Sequence, residues 1–153
     1  MSASYYHTKE SVEEYMKLSE GHDGSFLIEK LKKHLSEGAS VLELGSAAGK
    51  DIALLQQQNY RVTGSDYSKE FLEVLKSKYN NVELLHLNAA TLKVDTKFDA
   101  IYSNKVLHHL TDDELASSFN RQHELLKDNG IICHSFWLGD SDEEFKGMYV
   151  NYH

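Results

Sequence analysis

A loop that contains two glycines joins a strand-like run to a helix-like run in VLELGSAAGKD, residues 41–51. A strand that stops at a glycine and re-enters a helix leaves free backbone N–H groups at an open crevice, where a small polar ligand can bind. One acid, Glu43, interrupts the apolar run, and another, Asp66, ends the next strand-like run. Gly45 and Asp66 both stand at the carboxyl ends of predicted strands, which is where α/β sheets bind ligands.

Three classes of ligand are candidates for this loop. A triphosphate loop needs G-x-x-x-x-G-K-[ST], whereas three residues separate Gly45 from Gly49 and Asp51 replaces the magnesium-binding hydroxyl. A dinucleotide loop needs G-x-G-x-x-G, and Ala47 stands where its middle glycine would admit a pyrophosphate. A phosphate-free adenosine ligand needs an acid for its two ribose hydroxyls, which Asp66 supplies. S-adenosylmethionine is such a ligand, and its ammonium group also suits the acid within the first strand.

Strand-like and helix-like segments alternate along the chain. This alternation predicts a parallel sheet in an α/β layer fold, with the ligand crevice at the carboxyl ends of the strands. Ser68 is predicted to cap one helix, and Thr111 forms a capping box with Glu114. The predicted helices cover residues 8–20, 25–36, 52–58, 68–78 and 111 to about 129–130, and the predicted strands cover 41–44, 60–65, 82–87, 98–103 and 131–136.

The composition is that of one globular domain. The chain has 153 residues, of which 41% are hydrophobic and 26% charged, with a net charge of −8. This charge and the lack of a Lys/Arg cluster argue against a nucleic-acid partner. One cysteine, Cys133, excludes an internal disulfide and fits a reducing, cytoplasmic environment. No apolar run could span a bilayer and no signal peptide is evident, so no membrane partner is expected.

Five sequence motifs, in order and in spacing, resemble those of class I S-adenosylmethionine-dependent methyltransferases. The first two lie in VLELGSAAGKDIALLQQQNYRVTGSDYS, and the others lie in LLHLNAATL, FDAIYSNKVLHHLTDDEL and LLKDNGIICHSFW. The resemblance covers about residues 10 to 140. It implies a three-layer, Rossmann-like α/β fold with a mainly parallel sheet. It also implies S-adenosylmethionine as cofactor, S-adenosylhomocysteine as product, and methyl transfer as the reaction.

The resemblance implies a role for individual residues of these motifs. Glu43 would support the methionine end of the cofactor, Asp66 would bind the ribose, and Tyr67 would lie against the adenine. Asn88 stands where the family often has an acid that reads the adenine amino group, and Ala89 would offer its backbone. The residues that would wrap the amino-acid part are Gly45, Ser46, Ala47 and Gly49, and those that would line the floor under the methyl group are Ser103 and Asn104.

Two histidines are candidates for a catalytic base or for contact with the methyl acceptor. His108 follows the fourth predicted strand, and His134 lies on the fifth. Each has the alternative of packing as a satisfied core histidine. The adjacent pair His108 and His109 is not expected to bind a metal, because neighbouring side chains diverge and no further ligand is evident.

Aromatic residues are candidates for the acceptor side of the crevice. Tyr15, with Tyr5 and Tyr6, either forms a partial lid or packs the first helix on the sheet. Trp137, at the end of the fifth predicted strand, is also expected to face the substrate. A small molecule is the expected acceptor, because the site is a crevice and no acceptor-binding insertion is present.

The chain is predicted to form a single domain of three parts. These are a helical cap over residues 1–37, a cofactor-binding core over 38–138 and a tail over 139–153. The family fold usually continues with a helix and two strands, so the tail is expected to lack the last C-terminal strands. An exposed C-terminal edge would allow a homodimer. Two alternatives stay open: a cofactor-binding module or partner subunit that transfers nothing, and a nucleotide-dependent oxidoreductase.

Overall fold

Helices and strands alternate through most of the chain. The computed structural model describes residues 8–18, 23–139, 141–145 and 148–153, without the side chains of residues 14–18 and 145. The helices are α1 (Lys9–Leu18), α2 (Ser25–Lys32), α3 (Lys50–Gln57), α4 (Lys69–Lys78) and α5 (Asp112–Leu125), with a 3-10 helix at Leu107–His109. The strands are β1 (Ser40–Glu43), β2 (Arg61–Asp66), β3 (Glu83–His86), β4 (Phe98–Asn104), β5 (Leu126–Ser135), β6 (Asp142–Phe145) and β7 (Met148–Asn151).

Five parallel strands form one sheet in the order β3-β2-β1-β4-β5. Val41 of β1 pairs with Val62 of β2 on one side and with Ala100 of β4 on the other. Parallel neighbours need crossover connections, and α3, α4 and α5 supply three of them. The strand order reverses beside β1, so the ligand crevice is expected at the carboxyl ends of β1 and β4. The predicted mainly parallel α/β fold is confirmed.

The β1 strand lies between two hydrophobic clusters, one on each face of the sheet. Val41 packs in the cluster that contains Leu55 of α3 and Leu75 of α4. Leu42 packs in the other cluster, with Leu125 of α5. Successive side chains of a strand point to opposite faces, and helices cover both. This double burial explains why β1 reads as a continuous apolar run until Glu43.

The two predicted helix caps, at Ser68 and at Thr111, are confirmed by their hydrogen bonds. Ser68 Oγ accepts a hydrogen bond from Phe71 N–H at 3.2 Å. Thr111 Oγ1 accepts from Glu114 N–H at 3.2 Å, while Glu114 Oε1 accepts from Thr111 N–H at 3.0 Å. Each bond satisfies a backbone donor that a helix N-terminus leaves without an intrahelical partner.

The end of α5 differs from the prediction. The helix stops at Leu125, before the expected end near residues 129–130, and Leu126 already pairs with Phe98 of β4. The next pair joins Ala100 to Ile131, so residues 127–130 bulge out of β5. A helical hydrophobic pattern cannot reveal this bulge, because it depends on strand pairing with β4.

Residues 139–153, predicted as a tail, contain an antiparallel hairpin of β6 and β7. Val150 is fully buried, and Asn151 Nδ2 donates to Asp112 Oδ1 of α5 at 2.6 Å. The sequence pattern does not predict this hairpin, because the apolar alternation of the hairpin spans few residues and β6 begins with exposed acids.

The capping hydroxyl of Thr111 should contribute measurably to stability. Thr111→Ala leaves Glu114 N–H without its side-chain acceptor, so we expect the free energy of unfolding to fall by about 1 kcal/mol in urea titrations. Thr91→Ala, which removes an exposed hydroxyl outside any helix, is the matched control. It should change the value by less than about 0.5 kcal/mol. Equal losses in the two variants would contradict the capping role.

Candidate functional site

The loop between β1 and α3 has three residues with positive φ angles. Gly45, Ala47 and Gly49 have φ values of 64°, 47° and 84°. A Cβ atom on Gly45 would lie 2.6 Å from Val106 Cγ2, and one on Gly49 would lie 2.6 Å from Tyr79 Cε2. Both positions therefore require glycine, for backbone conformation and for space. Ala47 adopts the left-handed conformation despite its side chain, at a cost of roughly 1–2 kcal/mol.

Asp66 fastens this loop to the end of β2. Its Oδ2 accepts from Ala47 N–H at 3.0 Å, and its Oδ1 accepts from Ser68 N–H at 2.9 Å. Ser46 N–H donates to Ser65 O at 2.7 Å, and Ser65 N–H donates to Ser46 Oγ at 3.0 Å. Burial raises the pKa of Asp66 to about 6. An ionised carboxylate has about four lone-pair sites, so Asp66 keeps acceptor capacity for a ligand hydroxyl.

Glu43 is the least satisfied acid of the crevice. The residue is 3% exposed, and its Oε1 has no hydrogen-bond partner among the described residues. Burial, and then the nearby Asp51 carboxylate, raise the pKa of Glu43 to about 8. An unpaired buried acceptor costs about 1–3 kcal/mol, which a ligand donor would recover. The ammonium group of S-adenosylmethionine is such a donor, so the residues present fit this cofactor.

The Asp51 carboxylate joins three elements around the crevice, whereas its place in the sequence indicated only that the loop does not bind a triphosphate. Its Oδ1 accepts from Gly24 N–H at 2.8 Å. Its Oδ2 accepts from Tyr102 O–H at 2.7 Å and from Asn104 Nδ2–H at 3.3 Å. These bonds join the start of α2, the first turn of α3 and the end of β4. The available sequence signal was an acid in the first turn of a helix, directly after the glycine loop.

The residues expected around an adenine lie at the ends of β2 and β3. Tyr67 is 37% exposed, and its ring stacks on His86 with centroids 5.6 Å apart. Asn88 Oδ1 accepts from Ala90 N–H at 2.8 Å, and Ala89 is half-buried beside it. His86, which the sequence analysis did not select, pairs in register with Asp66.

His134 has a hydrogen-bond partner at each ring nitrogen. Its Nδ1 lies 2.6 Å from Ser103 Oγ, and its Nε2 lies 2.7 Å from Gln122 Oε1. Gln122 Nε2 donates to Ser118 Oγ at 3.0 Å, so Gln122 Oε1 accepts the proton of His134 Nε2. His134 Nδ1 therefore accepts from the Ser103 hydroxyl, which is fully buried. Burial lowers the pKa of His134 to about 4, and this geometry favours the satisfied core histidine.

His108 is the opposite case. It is 1% exposed, and neither ring nitrogen has a hydrogen-bond partner within the part of the chain that the structure describes. Its ring stacks on Trp137 with centroids 4.5 Å apart and an interplanar angle of 16°. Burial and the neighbouring His109 lower the pKa of His108 to about 3, so the ring is neutral near pH 7.

The sequence also predicts a partial aromatic lid over the crevice and a site without a metal ion. Tyr5, Tyr6 and the side chain of Tyr15 lie outside the described residues, so the lid stays a prediction. Within residues 8–18, 23–139, 141–145 and 148–153, no group of three or more His, Cys, Asp or Glu is placed to hold a metal ion. No helix in these ranges is long and apolar enough to cross a membrane.

Known proteins share this fold and parts of this sequence. The sequence profile of the family described as "Methyltransferase domain" matches residues 41–130. The ribosomal protein L11 methyltransferase of Dictyoglomus thermophilum is 32% identical over 117 residues, which are 74% of this chain and 37% of that protein. The chain spans about half the length, or less, of the curated relatives it matches.

Two solved structures are similar over nearly the whole chain. The complex of DhpI with SAH has a TM-score of 0.78 at 21% identity, and the match covers 98% of this chain and 78% of that one. The second is 1,6-didemethyltoxoflavin-N1-methyltransferase from Burkholderia thailandensis, with 1,6-didemethyltoxoflavin and S-adenosylhomocysteine bound. It has a TM-score of 0.68 at 24% identity, and the match covers 96% and 73% of the two chains. At these identities the likeness establishes the fold.

The raised pKa of Glu43 makes stability depend on pH. Glu43 keeps its carboxyl proton up to about pH 8 in the folded chain but only up to about pH 4.5 in the unfolded chain. The free energy of unfolding therefore falls as the pH rises from about 4.5 to about 8. Glu43→Gln is neutral throughout and lacks this loss. In urea titrations of the ligand-free chain, we expect the variant to be more stable than wild type at pH 8, by at least about 1 kcal/mol.

The same comparison at pH 5 should give a much smaller difference between Glu43→Gln and wild type, because Glu43 is then neutral in the folded chain and only the unfolded chain is partly ionised. Asp66 titrates in both chains, so its contribution cancels in the difference. Glu73→Gln, at an exposed position on α4, is the control and should show no such pH-dependent gain. A gain in the control as large as in Glu43→Gln would refute the assignment.

Proposed function

The chain belongs to the methyltransferase-domain family, and from this membership we propose that it transfers a methyl group from S-adenosylmethionine to a small-molecule acceptor. The observation that carries the proposal is the buried, unpartnered Oε1 of Glu43 beside the glycine loop. An acid in this state needs a hydrogen-bond donor or a cation. The loop that Asp66 fastens beside it would hold the rest of the same ligand.

Each of the proposed cofactor-binding residues contacts a different part of the ligand. Glu43 accepts from the ammonium group, the remaining acceptor capacity of Asp66 serves the ribose hydroxyls, and the exposed ring of Tyr67 supports the adenine. Asn88 and the backbone of Ala89 lie where the adenine edge would be read. The remaining contacts come from the loop residues Gly45, Ser46, Ala47 and Gly49.

When bound, the sulfonium cofactor supplies an electrophilic methyl group, so the protein mainly has to align the two reactants. Well-aligned reactants gain on the order of 7–11 kcal/mol relative to free encounter. The crevice floor is held for this task at Asn104, whose Nδ2 donates to Asp51 and whose Oδ1 accepts from Ser135 Oγ at 2.7 Å. The His134–Ser103 hydrogen bond fixes the preceding residue of β4.

The acceptor side is proposed around His108 and Trp137. Both ring nitrogens of His134 are hydrogen-bonded to Ser103 and Gln122. Of the two candidate histidines, His108 is therefore the one whose ring nitrogens can hydrogen-bond to the methyl acceptor. The Burkholderia thailandensis structure holds the small molecule 1,6-didemethyltoxoflavin, which supports a small acceptor, whereas the Dictyoglomus relative is named for a ribosomal protein. The absence of a nucleic-acid partner, the cytoplasmic location and the homodimer remain predictions.

A cofactor-binding module without transfer activity is the second candidate. The 1% exposure of His108 favours it, because the acceptor side is closed in this conformation. The two candidates share cofactor binding and differ in turnover. Methylation of any compound in a panel of small amines, azoles, phenols and thiols would support transfer. Cofactor binding without turnover across that panel would support the module.

Asp66 should control cofactor affinity. Calorimetric titration of the wild-type chain with S-adenosylmethionine and S-adenosylhomocysteine should show micromolar binding, and NADH should not bind. Asp66→Asn exchanges one acceptor oxygen for a donor group, so we expect affinity for both cofactor forms to fall about 10- to 100-fold. Asp128→Asn, at an exposed site, is the matched control and should bind as wild type. A folded wild-type chain that binds neither compound would refute the proposal.

Cofactor binding should release a proton near neutral pH. In the free chain Glu43 is mostly protonated at pH 7, because its pKa is about 8, and an ammonium partner favours its ionised form. Affinity for S-adenosylhomocysteine should therefore rise with pH, up to tenfold per unit, until about pH 8. Calorimetry at pH 7 in phosphate and in Tris should report close to one proton released. In Glu43→Gln the release should fall close to zero, and undiminished release would point to another group.

A further inference from the structure

The His108 imidazole combines burial with unused hydrogen-bonding capacity. The neutral ring carries one N–H donor and one lone pair, and neither meets a partner among the described residues. Buried polar side-chain atoms in folded proteins nearly always have a partner. His108 therefore presents a matched donor and acceptor that a ligand of the same kind could satisfy.

The surroundings of His108 are flat and aromatic. Trp137 lies nearly parallel to the imidazole, with centroids 4.5 Å apart, and Tyr152 stacks on the indole at 6.1 Å and 28°. Because Trp137 already covers a face of the imidazole, a guest has to meet the ring edge that carries the nitrogens, and a planar heteroaromatic ring can place its own nitrogens in that plane. A charged guest would lose its hydration in this buried aromatic site, where His108 is 1% exposed, so a neutral guest is favoured.

This stack borders the proposed cofactor crevice. Val106, two residues before His108, contacts Gly45 so closely that a Cβ on the glycine would lie 2.6 Å from its Cγ2. Asn104 joins the Asp51 carboxylate to Ser135, and Trp137 follows two residues later. A compound held at the edge of the His108 ring would thus lie next to the loop proposed to hold the methionine end of the cofactor.

The β6–β7 hairpin with residues 152–153, here named the strap, covers the stack. It is fastened by Asn151 Nδ2 to Asp112 Oδ1 at 2.6 Å, by His109 Nδ1 to Tyr149 O at 2.9 Å and by His153 N–H to Trp137 O at 2.9 Å. A two-stranded hairpin has little stability of its own, so these contacts largely determine whether the strap stays closed.

We propose, on the basis of the methyl transfer proposed above, that the acceptor is a planar, neutral heteroaromatic compound with a ring N–H. It enters a slot at the nitrogen-bearing edge of the His108 ring when the strap loosens, and its ring nitrogens hydrogen-bond to His108. The observed affinity for the acceptor then depends on the free energy needed to open the strap as well as on the affinity of the open slot.

Two matched probes test the slot in the wild-type chain saturated with S-adenosylhomocysteine. Benzimidazole is planar and neutral and has both a ring N–H and a ring lone pair, whereas 1-methylbenzimidazole has lost the N–H. We expect calorimetry to show benzimidazole binding about tenfold more tightly than its methylated form. In His108→Phe, which keeps a flat ring, that ratio should fall to within about twofold while affinity for S-adenosylhomocysteine is unchanged. The control His123→Phe, at an exposed site on α5, should keep the wild-type ratio.

A second variant tests the strap without altering the slot. Asn151→Ala removes the bond to Asp112, so it should raise benzimidazole affinity about fivefold, because less binding free energy is spent on opening. Affinity for S-adenosylhomocysteine should not change. Unchanged benzimidazole affinity in this variant would overturn the gating role of the strap.

The outcomes separate this proposal from the function on which it rests. If the wild-type chain binds S-adenosylhomocysteine but binds both probes equally, or neither of them, the planar-acceptor slot is overturned and the proposed function stands. If the folded chain does not bind S-adenosylhomocysteine, the proposed function fails and the acceptor assignment fails with it.

Discussion

The desolvated carboxyl group of Glu43 is the constraint on which the site depends. The folded chain buries this acid at the end of β1, and among the described residues one of its oxygens has no partner. A protein that only needed stability would place an apolar residue there, because an unpaired buried acceptor lowers the free energy of unfolding. The arrangement becomes favourable when a ligand donor arrives. Ligand affinity and ligand-free stability are therefore opposed at this residue, as is common at functional sites.

The two other buried acids differ from Glu43 because donors within the protein satisfy them. Asp66 accepts from backbone N–H groups, those of Ala47 and Ser68 among them, and Asp51 accepts from Gly24 N–H and from the side chains of Tyr102 and Asn104. Each of them connects elements that are distant in sequence, so the acids act as fasteners as well as charges. Their combined field adds to the raised pKa of Glu43. The glycine loop, the floor of β4 and the start of α2 are held in one geometry around the one acid that lacks a full set of partners.

The two candidate histidines show how environment divides similar side chains. His134 lies in a chain of hydrogen bonds from Ser103 to Ser118, which defines its tautomer and removes both nitrogens from further use. His108 lies among aromatic rings that exclude water, and no described residue offers its nitrogens a hydrogen bond. Both rings are neutral because burial lowers both pKa values. The first histidine positions a strand end, and the second remains able to recognise a ligand.

Local pattern by itself determined the order of helices and strands as far as β5, the caps at Ser68 and Thr111, and the placement of Glu43, Gly45 and Asp66 at one edge of the sheet. Hydrophobic period, capping residues and glycine punctuation act over a few residues, so a single chain reveals them. Only the tertiary structure decided the bulge in β5, the strap, the hub at Asp51 and the different fates of His108 and His134. These features depend on contacts between residues far apart in sequence, such as Gly24 with Asp51 or His108 with Trp137. Hydrogen-bond satisfaction is a property of packed surroundings, and those surroundings exist only once the sheet has formed.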